Sequence, residues 1–536
     1  MNLDSKIFKY LLPIILIIFS ISINFHYGNI GVHPIDTFGF FDSGYNVLMG
    51  KHPIKDFWII SGILVDYIQA FFFKVFGLKW SSYILHSSFF NLFISATFFL
   101  VLKNLKFNNF LSFLYAISVS ILCYPVSGTP FTYQHSFILS LISILIFIGA
   151  INSRVIILWF LLPIFMVLSF LSQQTPSAYI NLVLILVLLV YFFKDRDKKN
   201  FTFFIFGCLT TLIFLFLYFF LTEISLKNFI NQYILFPISI GGDRILGQDA
   251  SIDAFPATLK ERFTFRGVVG HFKFINIFIL TLILINLSKL YKRNATNIKF
   301  EDILTNTLLA FSSIGYIFHQ LITANQTFIF ALIPILAAFT HFQVNNYFTK
   351  KKYVQFLFLI FLTFVTIKYH DVYNVKRKFM DLQHADLSRA VDASLIDKKL
   401  SGLKWITPHY KDPLKEINLI KEALVIIKKD KRSKMVITHY QFFSFLLEED
   451  LNIPNRWYFT GNNTFPMKGN KYFQAYKDHF NKIIKEKGIE VIYIVITVPP
   501  GEISIDPFLD YFDNTCLDSN DENKITTSHV LKICDS

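Results

Sequence analysis

Apolar runs separated by short polar breaks fill the first two-thirds of the chain. They lie near residues 8–25, 82–102, 110–126, 134–151, 154–171, 178–193, 201–221, 273–288, 302–321, 328–343 and 353–369. A helix that spans a bilayer needs about 20 apolar residues at about 1.5 Å each. The pattern therefore predicts about eleven transmembrane helices, several at the short end of that range. Beyond residue 369 the pattern becomes that of a soluble protein. A charged, helix-like connector covers 370–400. After it, LKWIT (403–407), SKMVIT (433–438) and IEVIYIVIT (489–497) read as strands. EINLIKEALVIIKK (416–429) and YFQAYKDHFNKIIKEK (472–487) read as helices. The last strand is a nearly continuous apolar run, as expected when both faces are covered. Strand–helix alternation predicts a small α/β domain with a partly parallel sheet over 401–536. The fold expected is thus an α-helical polytopic membrane domain, 1–369, a helical connector and a soluble α/β domain.

Composition supports this division. Of 536 residues, 53% are hydrophobic, 18% aromatic and only 16% charged, against about 25% charge in a typical soluble domain. A formal charge of +14 raises nucleic acid as a partner, but the placement of the basic residues points to the bilayer instead. Alternate connections carry Lys6 and Lys9, Lys103 and Lys106, Arg154, and then Lys194, Arg196, Lys198 and Lys199. The series continues with Lys289, Lys292 and Arg293 and ends at Lys350, Lys351 and Lys352. The intervening connections 126–133, 172–177 and 322–327 contain no Lys or Arg. Because Lys and Arg collect on the cytoplasmic side, an integral plasma-membrane protein with a cytoplasmic N-terminus is expected. Segments 26–81 and 222–272 then become outer loops, and 401–536 an extracytoplasmic domain.

Residues 57–78, FWIISGILVDYIQAFFFKVFGL, challenge that count. Asp66 and Lys74 interrupt the run, and a charge at mid-bilayer costs at least about 2.5 kcal/mol. Counting the segment as a span would also invert every later connection. It reads instead as an interfacial or re-entrant helix. Met1 to Phe25 lacks a small-residue cleavage site, so it reads as an uncleaved first span and not as a signal peptide.

The first outer loop, HPIDTFGFFDSGYNVLMGKHPIKDFW (33–58), carries the candidate chemistry. From Asp36 onward its spacing is helical. Phe38, Phe41, Tyr45 and Leu48 share one face, while Gly39, Asp42, Ser43, Asn46 and Gly50 share another. Such a helix would rest its aromatic face on lipid and turn its polar face to water. Asp36 opens it, where an Asp is also a good helix cap. Asp42 reads as a solvated position, Asp56 as a partner of Lys51 or Lys55 or as a site residue, and His33 as the residue before a turn at Pro34.

An Asp soon after the first span, a helix ending in Gly, a Pro-x-x-Asp-Phe stretch and an apolar helix closing in Phe-Gly resemble the type C superfamily of membrane glycosyltransferases. That superfamily includes the protein O-mannosyltransferases and the aminoarabinose transferases of lipid A. The matching residues are Asp36, Gly50, Pro53, Asp56, Phe57, Gly62 and Phe76-Gly77, with weaker echoes in FLSQQTPSAY (170–179) and NQTFIFALIPIL (325–336). The resemblance implies inverting transfer of a sugar from a polyprenyl-phosphate donor to a lipid, glycan or protein acceptor, with Asp36 in the position of the catalytic carboxylate. Candidate substrate contacts are Asp56, Lys51, Lys55 and Gln173, with Asn325 and Gln326 on a short outer loop either lining the site or capping helix ends. The leaving phosphate would need positive charge, from Lys51 and Lys55 or from Arg244, Arg262 and Arg266. Two departures stand out: Thr37 where many relatives have Glu, and Gln173 where a Lys is frequent.

A transporter or flippase of lipid-linked saccharides would more often show internal repeats and ionisable residues within its spans. A polysaccharide polymerase or ligase lies closer in chemistry. A sensor that works through its tail would not need so many spans. No glycine-rich phosphate loop, CxxC or His-rich spacing points to a nucleotide or a structural metal; no cofactor is implied, and a divalent metal stays open. Of the four cysteines, Cys123 and Cys208 fall in spans as packing residues. Cys516 and Cys534 are candidates for a disulfide in an oxidising compartment.

Overall fold

The structure, a computed structural model, describes all residues except 1–5, 126, 154, 196, 247–258, 292–298, 324–327, 346–350, 377–381, 383–384, 409, 411, 459–463, 497–502, 513–514 and 534–536. Every apolar run forms a helix. The chain begins with α1 (Lys6–Gly28), two short helices α2 (Pro34–Thr37) and α3 (Phe41–Leu48), and α4 (Ile63–Phe76). Six long helices follow: α5 (Trp80–Asn104), α6 (Asn109–Cys123), α7 (Thr132–Asn152), α8 (Ile157–Ser172), α9 (Gln174–Asp195) and α10 (Lys198–Thr222). Shorter pieces α11 (Leu226–Phe229), α12 (Phe236–Leu246) and α13 (Leu259–Arg262) precede α14 (Lys273–Tyr291), α15 (Phe300–Ile322), α16 (Leu332–Val344) and α17 (Lys351–His370).

Among the described residues, seven helices are long and apolar enough to cross a membrane: α1, α5, α7, α9, α10, α14 and α17. Helices α6, α8 and α16 are apolar but shorter, and α15 carries Glu301 and Asp302 in its first turn. Helix α7 is the centre of the bundle, with 94% of its apolar window buried, against 11% for α10 at the periphery. Small polar side chains hold α1, α5 and α6 together. Asn24 donates to Ser87 and Ser88, each at 2.9 Å, and Asn91 donates to the carbonyls of Ser20 and Ser120. In an apolar surrounding these groups have no water to turn to, so they pair across helices. Lys289, which the charge pattern places in a cytoplasmic connection, reaches Asp302 at 2.9 Å and Gln343 at 2.7 Å.

The connector is not one helix. A π-helical turn, Asp371–Val375, extends α17, and three-residue 3-10 turns follow at Leu387–Arg389, Ala393–Leu395 and Lys398–Leu400. Asp386, Asp392 and Asp397 each accept the backbone N–H two residues on, which breaks a longer helix into turns. LKWIT contributes only β2 (Lys404–Trp405), paired with β1 (Val391–Asp392) apart from the main sheet. The expected helices appear as α18 (Pro413–Lys429) and α20 (Phe473–Lys487), with α19 (Phe443–Leu447) between them and α21 (Asp506–Leu509) after. The expected strands appear as β3 (Lys434–Thr438) and β4 (Val491–Val495), parallel to one another and fully buried. An antiparallel hairpin, β5 (Thr515–Asn523) and β6 (Thr526–Ile533), completes a sheet of order β3-β4-β6-β5. Cys516 on β5 is disulfide-bonded, Cys123 and Cys208 are free, and Cys534 lies outside the described residues.

The C-terminal part is not an appended domain. The backbone of the first loop joins it at three places. Val32 N–H donates to the Ile406 carbonyl at 2.8 Å, Asp42 N–H to Gln441 at 3.0 Å, and Trp58 N–H to Pro454 at 2.7 Å. One continuous apolar core holds Phe38, Phe41 and Tyr45 together with Trp405, Phe442 and Phe445. A second joins Trp58 and Phe236 to Met435, Tyr476 and Phe480. The described parts of segments 26–81 and 222–272 and of the C-terminal domain therefore lie on one side of the bundle. A spanning 57–78 would separate the tail from the loop it is woven into. Instead α4 is only 14 residues long, with Phe71, Val75 and Phe76 exposed on one side and Asp66 buried on the other.

Candidate functional site

The loop helix expected from Asp36 onward is broken in two. Residues 38–40 turn between α2 and α3, and this turn separates Asp36 from the helix it was expected to open. Asp36 is not a cap either. His33 occupies the N-cap of α2, Pro34 the first helical position, and Asp36 the third. The aromatic face of α3 does not rest on lipid. Phe41 lies 4.2 Å, centroid to centroid, from Phe445, and Phe38 lies 4.7 Å from Phe442. The tail supplies enough aromatic surface to cover it.

The acidic residues of this segment divide sharply. Asp42 is buried, contrary to the solvated position expected, and accepts N–H groups from Ser444 at 3.1 Å and Phe445 at 2.8 Å. Burial pushes its carboxyl up to about 7, with the backbone donors pulling the other way. Asp66 is fully buried in an ion pair with Arg456 of the tail and accepts the Ser43 hydroxyl at 2.6 Å. Burial raises it to about 6 against the pull of the guanidinium and the hydroxyl. Gly62 enters α4 at φ +80°, where a Cβ would lie 2.4 Å from Thr132 and 2.9 Å from the Arg456 guanidinium. Asp56 accepts the His52 N–H at 2.6 Å and closes its own turn. It pairs with neither lysine: Lys51 bridges to Asp450 and Lys55 to Glu223.

Asp36 differs from all three. Its side chain is 37% exposed, and among the described residues its one ion-pair partner is His33, at 3.5 Å. The tail lines this turn. Trp457 Nε1 donates to the Ile35 carbonyl at 3.2 Å. His439, just past the C-terminal end of β3, is close enough to His33 to feel its charge; burial first, and then His33, hold it down to about 3. The Tyr458 ring lies 6.2 Å from that of His439. The site is thus composite, an acid–imidazole pair from the loop against His439, Trp457 and Tyr458 from the tail. These tail residues escape the sequence reading, although the end of a parallel strand is where α/β sheets place ligands.

The remaining expected site residues do not gather here. Arg262 is buried and donates to the Ile322 carbonyl at 3.1 Å, while Arg266 is exposed at the start of a π-helical turn. Gln173 ends α8, and its carbonyl accepts the Ser136 and Ser177 hydroxyls. The side chain of Arg244, and Asn325 and Gln326 altogether, lie outside the described residues. No group of three or more metal-ligating side chains occurs among the described residues. No family model matches this chain, and no curated protein matches it.

Proposed function

We propose that this chain is a membrane glycosyltransferase, moving a sugar from a polyprenyl-phosphate donor to a hydroxyl acceptor on the outer face of the plasma membrane. The observation that carries the reading is the state of the loop carboxylates. Asp42, Asp56 and Asp66 are spent on structure, whereas Asp36, the residue matching the superfamily's catalytic carboxylate, is held open at the loop–tail junction. In this reading Asp36 takes the proton of the acceptor hydroxyl as its oxygen bonds to the anomeric carbon. The bond from that carbon to the phosphate breaks on the opposite face, the phosphate leaves with the electron pair, and configuration inverts. His33 orients the carboxylate, and the half-buried Trp457 offers aromatic surface to a sugar ring, backed by the buried Tyr458.

The test uses the full-length protein in detergent with polyprenyl-phosphate sugars, following transfer. Asp36→Asn should lower the rate on the order of 10²- to 10⁴-fold, the usual range for a lost general base. Intact transfer by the variant, or no transfer by the wild type from any such donor, would end the proposal. Reporter fusions after Lys199 and after Asp371 should report opposite compartments; the same compartment for both would refute the outer placement.

A further inference from the structure

A second basic site lies away from Asp36, where α14 and α17 emerge on the tail side of the bundle. A cavity of about 190 Å³ opens there, lined by Gly270, His271, Lys273, Lys368, Tyr369 and Tyr373, with Val372. The Lys273 and Lys368 ammonium groups each sit 5.2 Å from the centroid of one ring, Phe274. They are therefore within about 10 Å of each other, a separation that salt screens only partly. Neither forms an ion pair among the described residues, and the neighbouring acid, Asp371, is taken by Lys376. Two cations held against one ring without an anion repel each other, and a bridging anion would relieve the repulsion.

The surroundings say what kind of anion. Below the lysines the two helices turn apolar side chains outward: Ile277, Leu280 and Leu284 on α14, and Ile360, Phe364 and Ile367 on α17, all exposed. The floor is aromatic and rigid, with Tyr369 stacked 3.9 Å from Phe330 and Tyr373 5.3 Å from the same ring. Cations and tyrosines above an apolar stripe match the layering of a membrane interface, headgroup over acyl chain. We propose that Lys273 and Lys368 clamp the phosphate of an anionic membrane phospholipid, whose chains run down the exposed faces of α14 and α17. The site is separate from Asp36 and does not depend on the transferase reading.

The test measures lipid retention by native mass spectrometry and thermal unfolding of the full chain in detergent, titrated with phosphatidylglycerol or phosphatidylcholine. Phosphatidylglycerol should bind and raise the unfolding temperature, and phosphatidylcholine should not. Lys273→Gln with Lys368→Gln should weaken phosphatidylglycerol about thirtyfold, since each juxtamembrane cation contributes about fivefold. Each single variant should fall between, which keeps the test alive if the double variant is not recovered. Equal binding of both lipids, or unchanged binding in the variants, would overturn the clamp. Inorganic phosphate alone giving the same temperature shift would assign the site to a free anion and overturn the lipid.

Discussion

Asp66 and Asp36 stand on the same loop and have opposite fates. Asp66 lies under the tail with no exposure, its carboxylate shared between Arg456 and Ser43. Asp36 sits in the short helix α2 with over a third of its side chain in the open and, among the described residues, only His33 as an ion-pair partner. The sequence offers little to separate two aspartates in an apolar neighbourhood. The tail makes the difference, because it brings Arg456 to one of them and an imidazole and aromatic rings to the other. One carboxylate fastens the two parts of the molecule, and the other is left available for chemistry.

The strongest way to break the comparison is at the fastening. Arg456→Ala would leave Asp66 buried without its counter-charge, and losing one member of a buried pair typically costs about 3–5 kcal/mol. Chemical unfolding in detergent should show that loss, together with new protease cuts in 401–536. A double change, Asp66→Asn with Arg456→Met, should recover most of it, since a neutral pair removes the desolvation problem. If Arg456→Ala costs under about 1 kcal/mol, the pair is not what holds loop to tail.

Asp42 sharpens the comparison through pH. Its folded value of about 7 lies above the ordinary 3.8, so between these limits the folded protein binds more protons than the unfolded chain. Stability from this group is full below about 4 and is lost as pH climbs to about 7, with a slope of at most about 1.4 kcal/mol per pH unit. Asp66, raised to about 6, contributes in the same direction but stops sooner. Asp42→Asn should therefore flatten the unfolding temperature above about pH 6 and leave a residual slope below it. An unchanged profile would show that Asp42 is not buried as a carboxyl.

Much of this architecture is legible in the residues. The apolar runs locate every long helix, and 57–78, interrupted by Asp66 and Lys74, forms a helix of only 14 residues that is not among the seven long apolar ones. The buried parallel strand β4 announces itself by unbroken apolar sequence, and β3 by the shorter Met-Val-Ile run at its centre. The hairpin does not, because β5 reads TCLDSNDEN and faces water along most of its length, so no alternation marks it. The candidate site is legible only in half. Asp36 and His33 are local in sequence, whereas His439 and Trp457 reach this turn, with Tyr458 behind His439, through tertiary contacts that periodicity cannot encode. The same blindness hid the acids that pair with Lys51 and Lys55, Asp450 and Glu223, which lie far along the chain where Asp56 was the partner expected.

Those lysines supply a smaller test. Lys51→Ala removes an ion pair whose acid is 43% exposed, and such pairs contribute about 0.2–1 kcal/mol. Thermal unfolding should move correspondingly little, and the shift should shrink further in high salt. A loss approaching that of Arg456→Ala would mean the fastening extends to the rim.

The smallest expected effect is the most telling. Asp36→Asn changes a side chain that, among the described residues, caps no helix, accepts no buried backbone N–H and meets one imidazole at 3.5 Å. Substitutions at such positions usually stay within about 0.5 kcal/mol of the parent. Unfolding of the variant should therefore overlay the wild type while transfer collapses. That split separates a working carboxylate from a structural one, since a structural aspartate would lose stability and activity together. If Asp36→Asn unfolds as readily as Arg456→Ala, the contrast between the two aspartates disappears, and the case for Asp36 as the base goes with it.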